Sequence, residues 1–106
     1  MQIKTCILID DDSLIHKLWE IEASKKNIDL HKFFSVNDFI ENHTNFDKDS
    51  TIYIDSSLGE EIKGEDEAEK IFKLGFENIY LVTGKSPEDI LNKKWIKEIR
   101  GKRPEF

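Results

Sequence analysis

The sequence predicts an α/β fold: a parallel sheet covered by helices. Three observations predict it. Five short apolar runs rich in β-branched residues recur along the chain, the stretches between them carry apolar residues at helical spacing, and acidic or hydroxyl residues end several of the runs. The chain of 106 residues has no internal repeat, low-complexity segment or linker, so residues 1–106 read as one continuous domain with one core.

Residues 3–9 form a β-branched run that ends at Asp10-Asp11-Asp12, and such a run suits a strand buried on both faces. Within residues 13–26, Leu14, Ile15, Leu18, Trp19 and Ile21 fall at helical spacing, with Asp12 or Ser13 as the N-cap and Asn27 as the stop. Residues 30–34 read as a second strand. Val36, Phe39 and Ile40 then predict a short helix capped by Ser35, which fades near Asn42 or His43 into a polar loop over residues 44–50. Residues 51–54 read as a third strand ending at Asp55. An acidic loop containing glycine leads to a helix over residues 65–74, with Ala68, Ile71, Phe72 and Leu74 inward and Gly75 as its left-handed stop. Residues 79–82 form a fourth strand that ends at Thr83-Gly84. Ser86-Pro87-Glu88-Asp89 supplies a cap, a first-turn proline and two acids that suit the helix dipole, so a short helix is predicted to run to about Lys94. Residues 95–99 read as the fifth strand.

Composition narrows the function. A net charge of -6 and a pI near 5.1 disfavour nucleic acid as a partner, since phosphates repel an acidic surface. Lys93, Lys94, Lys97, Arg100, Lys102 and Arg103 gather near the C-terminus and read as a solvated stretch. Cys6 is the single cysteine, which excludes an intramolecular disulfide and suits a small core residue. No run approaches the roughly 18 apolar residues of a membrane span, and the first run meets an aspartate too early for a signal peptide. A cytoplasmic location is expected, without membrane association. His16, His31 and His43 lack mutual ligand spacing, and the acids Glu60, Glu61, Glu65, Asp66, Glu67 and Glu69 read as a solvated loop and helix start.

The polar strand endings carry the chemistry. Ligands of open parallel sheets bind beyond the carboxyl ends of the strands, and here those ends bring Asp10-Asp11-Asp12, Asp55, Thr83 and Lys102 to one edge. Each ending is ordinary when taken singly; together they are chemically compatible. Two carboxylates about 4 Å apart repel by roughly 4 kcal/mol at an effective dielectric near 20. Gathering Asp10, Asp11 and Asp55 therefore requires a raised pKa or a cation, and hard oxygen donors with waters suit Mg²⁺. Such an ion offsets the charge of an incoming phosphoryl group, for which an aspartate can be the nucleophile. Thr83 can donate a hydrogen bond, and Lys102 can supply positive charge.

Three stretches, Ile7-Leu8-Ile9-Asp10-Asp11-Asp12-Ser13, Ile52-Tyr53-Ile54-Asp55 and Leu81-Val82-Thr83-Gly84, in this order and spacing, resemble the receiver domain of two-component response regulators. The resemblance covers essentially the whole chain. It implies a flavodoxin-like three-layer sandwich with a five-stranded parallel sheet of order 2-1-3-4-5, the last helix absent. It also implies that Asp55 is the phosphoacceptor in a Mg²⁺-dependent phosphorylation. Asp10, Asp11, Asp55 and the backbone carbonyl of Ser57 would be the metal ligands, and Thr83 and Lys102 would stabilise the phosphoryl group. Self-phosphorylation and self-dephosphorylation would be its only chemistry, with a histidine kinase or phosphotransfer protein as partner in a phosphorelay.

The sequence departs from the family pattern at three places. The family's Lys-Pro is replaced by Gly101-Lys102-Arg103-Pro104, so Lys102 and Arg103 both compete for the lysine role. The family's aromatic switch position holds Ile99. The chain ends where a fifth helix normally begins, so a second copy or a partner helix is expected to cover an apolar face of the sheet. Two alternatives remain beside the active receiver: a degenerate receiver that binds partners without phosphorylation, and a small phosphatase of the haloacid-dehalogenase type built on the Asp-x-Asp of residues 10–12.

Overall fold

The computed structural model describes residues 4–59, 61–84, 93–104 and 106. Five strands, β1 (Thr5–Ile9), β2 (Asp29–Phe33), β3 (Thr51–Asp55), β4 (Ile79–Val82) and β5 (Glu98–Arg100), form one parallel sheet of order β2-β1-β3-β4-β5. Three α-helices are described: α1 (Ser13–Lys25), α2 (Val36–Glu41) and α3 (Gly64–Lys73). The predicted helix starting at Ser86 lies outside the described residues. After β5 the described residues form no helix.

Alternation along the buried strands divides the core into two layers. Ile7, Ile9, Ile52, Ile54, Ile79 and Leu81 face α2 and α3, where Phe39, Ala68, Ile71 and Phe76 pack against them with no exposed surface. Cys6, Leu8, Tyr53 and Val82 face the other way, onto Trp19 of α1. Burying each such large side chain contributes about 1.5–3 kcal/mol, which makes the central strands the most strongly anchored part of the molecule.

The helix ends follow local chemistry. Asp12 caps α1 by accepting from the Leu14 N–H at 2.9 Å, and Ser35 caps α2 by accepting from Asp38 at 3.2 Å. At the C-terminus of α1, Asn27 takes a φ of +55° while the Ile28 N–H reaches back to the Ala23 carbonyl at 2.9 Å. Gly75 ends α3 at a φ of +107°, as its sequence position predicts.

Several expectations need correction. β2 begins one residue earlier than predicted, at Asp29, and a 3-10 turn over His43–Asn45 occupies part of the predicted loop. β5 lies over Glu98–Arg100 rather than residues 95–99, because Trp95 turns away to donate its indole N–H to the Glu65 carbonyl at 2.6 Å. On α1 the buried residues are His16, Trp19 and Ala23, whereas Leu14, Leu18 and Ile21 are exposed. Apart from these corrections, the sheet face on which a partner is expected carries contacts from the C-terminal segment. Phe106 packs edge-on against Trp19 and Tyr53, and the Arg100 guanidinium lies 4.8 Å from the centre of the Tyr80 ring.

Candidate functional site

Parallel pairing places the ends of β1, β3, β4 and β5 on one sheet edge. Ile9 pairs with Ile54, Asp55 with Val82, and Val82 with Arg100, so Asp10, Asp55, Thr83 and Lys102 follow closely from registered positions. One carboxylate oxygen from each of Asp10, Asp11 and Asp55 lies within 4.8 Å of the others. Asp10 and Asp55 are buried and Asp11 is exposed, which leaves the cluster open to solvent on one side.

Asp10 is held by three hydrogen bonds. Its N–H donates to the Phe33 carbonyl at 3.0 Å, and its Oδ1 accepts from the Asp12 N–H at 2.9 Å. Its main-chain oxygen accepts from His16 Nε2 at 2.7 Å. Its Oδ2 is buried with no hydrogen-bond partner, 3.6 Å from Lys102 Nζ. Burial pushes the Asp10 carboxyl above its ordinary pKa; the charges of Asp55 and Asp11 push it the same way, against the Asp12 N–H and Lys102.

Of the two basic residues that compete for the lysine role, Lys102 is the one that reaches Asp55. Its Nζ lies 2.5 Å from Asp55 Oδ1, while Arg103 is exposed. Burial opposes the ammonium charge, but the hydrogen bond and attraction of Asp55, reinforced by Asp10, lift the Lys102 pKa above its ordinary value. The other residues of the basic cluster serve separate neighbours: Lys93 approaches Asp66 at 3.9 Å, Lys97 binds Asn78 at 3.2 Å, and Arg100 binds Glu98 at 2.8 Å.

Thr83 is buried one residue beyond the partner of Asp55, and its N–H donates to the Arg100 carbonyl at 2.9 Å. Ser57 opens a short hairpin opposite Lys63. Bonds from Leu58 N–H to Ile62 O and from Gly64 N–H to Ser56 O flank that pair, so the Ser57 carbonyl takes no part in them. Ile99 packs into the layer shared with Trp95, Ile96 and Phe72, on the α3 side of the sheet.

Three residues at the site escaped sequence reasoning. Gly64 lies where an ideal Cβ would overlap the Asp55 carbonyl oxygen and stand 2.7 Å from its carbon, so only glycine fits against the end of β3. Its signal was its place at the end of the acidic loop, indistinguishable in sequence from Gly59. His16 and Trp19 gave no signal, since their hydrogen bonds go to main-chain atoms of distant segments. His31 pairs with Asp29 at 3.0 Å, and His43 lies edge-on to Phe76; neither joins the cluster. A separate groove is lined by Lys4, Asp29, Asp47 and Thr51 at the opposite sheet edge. Ligands of open parallel sheets sit beyond the carboxyl ends of the strands, which here form the acidic edge.

The donor set fits a small hard cation: oxygen ligands only, one of them a buried carboxylate oxygen without a hydrogen-bond partner. No helix among the described residues is long and apolar enough to cross a membrane.

No family model and no curated protein matches the sequence. Solved structures do match the fold. A CheY-like response regulator receiver domain from Methylobacillus flagellatus superposes with a TM-score of 0.79 at 14% identity, over 98% of this chain and 90% of that one. The N-terminal domain of a response regulator/sensory box/GGDEF 3-domain protein from Carboxydothermus hydrogenoformans gives 0.78 at 15%, over 96% and 84%. The signal receiver domain of an HD domain-containing protein from Pseudomonas fluorescens Pf-5 gives 0.78 at 15%, over 96% and 77%. The fold is that of the response-regulator receiver domains, with the predicted strand order.

Proposed function

We propose that the chain is a phosphoryl-accepting receiver domain of two-component signalling, with Asp55 as acceptor. The observation that carries this reading is the meeting of Asp10, Asp11 and Asp55 within 4.8 Å, with Lys102 Nζ 2.5 Å from Asp55. In this reading Asp10, Asp11, Asp55 and the Ser57 carbonyl would hold Mg²⁺, which when bound supplies positive charge beside the acceptor. An Asp55 carboxylate oxygen attacks the phosphorus of the donor, and the bond from phosphorus to the leaving group breaks. Lys102 balances the charge of the transferred group, and the Thr83 hydroxyl donates to one of its oxygens. The phosphoryl group comes from a histidine kinase or phosphotransfer protein. The chain acts on its own Asp55 and not on external esters.

Ile99 favours an output that differs from an aromatic rotamer switch. At that position the chain has a partly buried aliphatic side chain packed against the core, so phosphorylation acts through the packing around β5. A second reading, a phosphorylation-independent interaction module, draws on the same departure.

The test is incubation with Mg²⁺ and acetyl phosphate, read by intact mass. The active receiver gains one phosphoryl group, lost in Asp55→Asn and when a chelator removes the Mg²⁺. No gain in the native protein supports the interaction module instead, and steady hydrolysis of a generic phosphate ester supports the phosphatase.

A further inference from the structure

We infer that His16 and Trp19 are positioning residues that set the spacing between the acidic cluster and Lys102. The inference rests on the receiver reading. Both side chains lie on the inner face of α1, one turn apart, with 5% and 1% of their surface exposed. His16 Nε2–H donates to the Asp10 carbonyl at 2.7 Å; a carbonyl only accepts, so the proton resides on Nε2. Its ring stacks on Phe34 with centroids 4.2 Å apart, which fixes its plane. Trp19 Nε1–H donates to the Lys102 carbonyl at 3.1 Å, and its ring is wedged between Tyr53 and Phe106.

One helix therefore grips two segments that the sheet keeps apart. Asp10 follows β1 and Lys102 follows β5, with β3 and β4 between them in the sheet. The described residues after β5 have no regular secondary structure to orient the lysine, so the indole bond is a tether on its main chain. His16 holds the turn whose carboxylates would bind metal, and Trp19 holds the residue that would meet the phosphoryl group. If these bonds served only to satisfy buried polar groups, removing either would lower stability and leave the two binding steps alike.

The experiment measures Mg²⁺ affinity, and beryllofluoride affinity at saturating Mg²⁺, by calorimetry well below each variant's melting temperature. Losing a hydrogen bond worth about 1 kcal/mol corresponds to roughly fivefold. His16→Phe, which keeps the stacked ring and drops the donor, is expected to weaken Mg²⁺ binding about fivefold and leave the beryllofluoride step within about twofold. His16→Gln restores a donor and recovers part of the loss. Trp19→Phe shows the reverse pattern, weakening beryllofluoride binding about fivefold without weakening Mg²⁺ binding. In the native protein, the Trp19 indole N–H resonance moves when beryllofluoride joins the Mg²⁺-saturated form; this arm stands even where a variant does not fold. Variants that alter both steps together or neither, or an unmoved indole resonance, overturn the inference while the receiver reading stands. A native protein that binds neither probe overturns both.

Discussion

Asp10 is under electrostatic strain, because its buried carboxylate shares a cluster with those of Asp11 and Asp55, and its Oδ2 has no hydrogen bond, with Lys102 as the nearby cation. Its folded pKa is raised, so the protein binds a proton there more tightly folded than unfolded. The resulting cost is absent below the ordinary carboxylate pKa, grows as pH rises through it, and is complete above the raised value. Asp10→Asn should therefore raise metal-free stability at neutral pH, a gain that vanishes in acid below that window. Thermal melts across pH check this; a gain that persists unchanged into acid would contradict it. In the proposed receiver the same titration would remove a metal ligand, so Mg²⁺ binding should weaken as pH falls through the raised Asp10 pKa. At this scale the acids were legible, since they follow apolar runs directly. Gly64, His16 and Trp19 were not, because a close backbone approach and bonds to distant carbonyls leave no local pattern.

Elements show which periodicities sequence can read. β1, β3 and β4 are buried on both faces and stand out as continuous apolar runs. β5 was displaced because Trp95 and Ile96 are apolar yet serve as packing against α3 and the core, not as strand residues. On α1 the apolar stripe was read correctly at Trp19 and misled at Leu14, Leu18 and Ile21, which point outward, while His16 turns inward to bind a carbonyl. The glycines at the two ends of α3 separate site from scaffold. Gly64→Ala should destabilise the fold by about 3 kcal/mol or more and disturb Mg²⁺ binding, because the new methyl group meets the Asp55 main chain. Gly75→Ala meets only the flexible Lys48 side chain, and its cost of about 1–2 kcal/mol comes from the φ of +107°. Chemical denaturation with a parallel Mg²⁺ titration distinguishes them, since Gly75→Ala should leave metal affinity unchanged. Equal loss of affinity in both would contradict the assignment of Gly64 to the site.

The whole molecule brings together in space what the chain spreads over 93 residues, from Asp10 to Lys102. The parallel sheet does this by stacking strand ends on one edge, and strand order was predictable from the motif resemblance. The partner-covered face was less so, because the packing of Phe106 onto Trp19 and Tyr53 depends on a C-terminal segment without periodicity. A ligand that binds only the folded state stabilises it, by about 2.7 kcal/mol at a hundred times its dissociation constant. For a domain of this size that is a rise in melting temperature on the order of 10 °C. The most direct test is a Mg²⁺ titration read by thermal unfolding in the native protein and in Asp10→Asn, Asp11→Asn and Asp55→Asn. A saturable rise in the native protein that shrinks in every variant is the predicted result. No rise in the native protein, or a rise that all three variants retain, would mean that the three carboxylates do not share a cation.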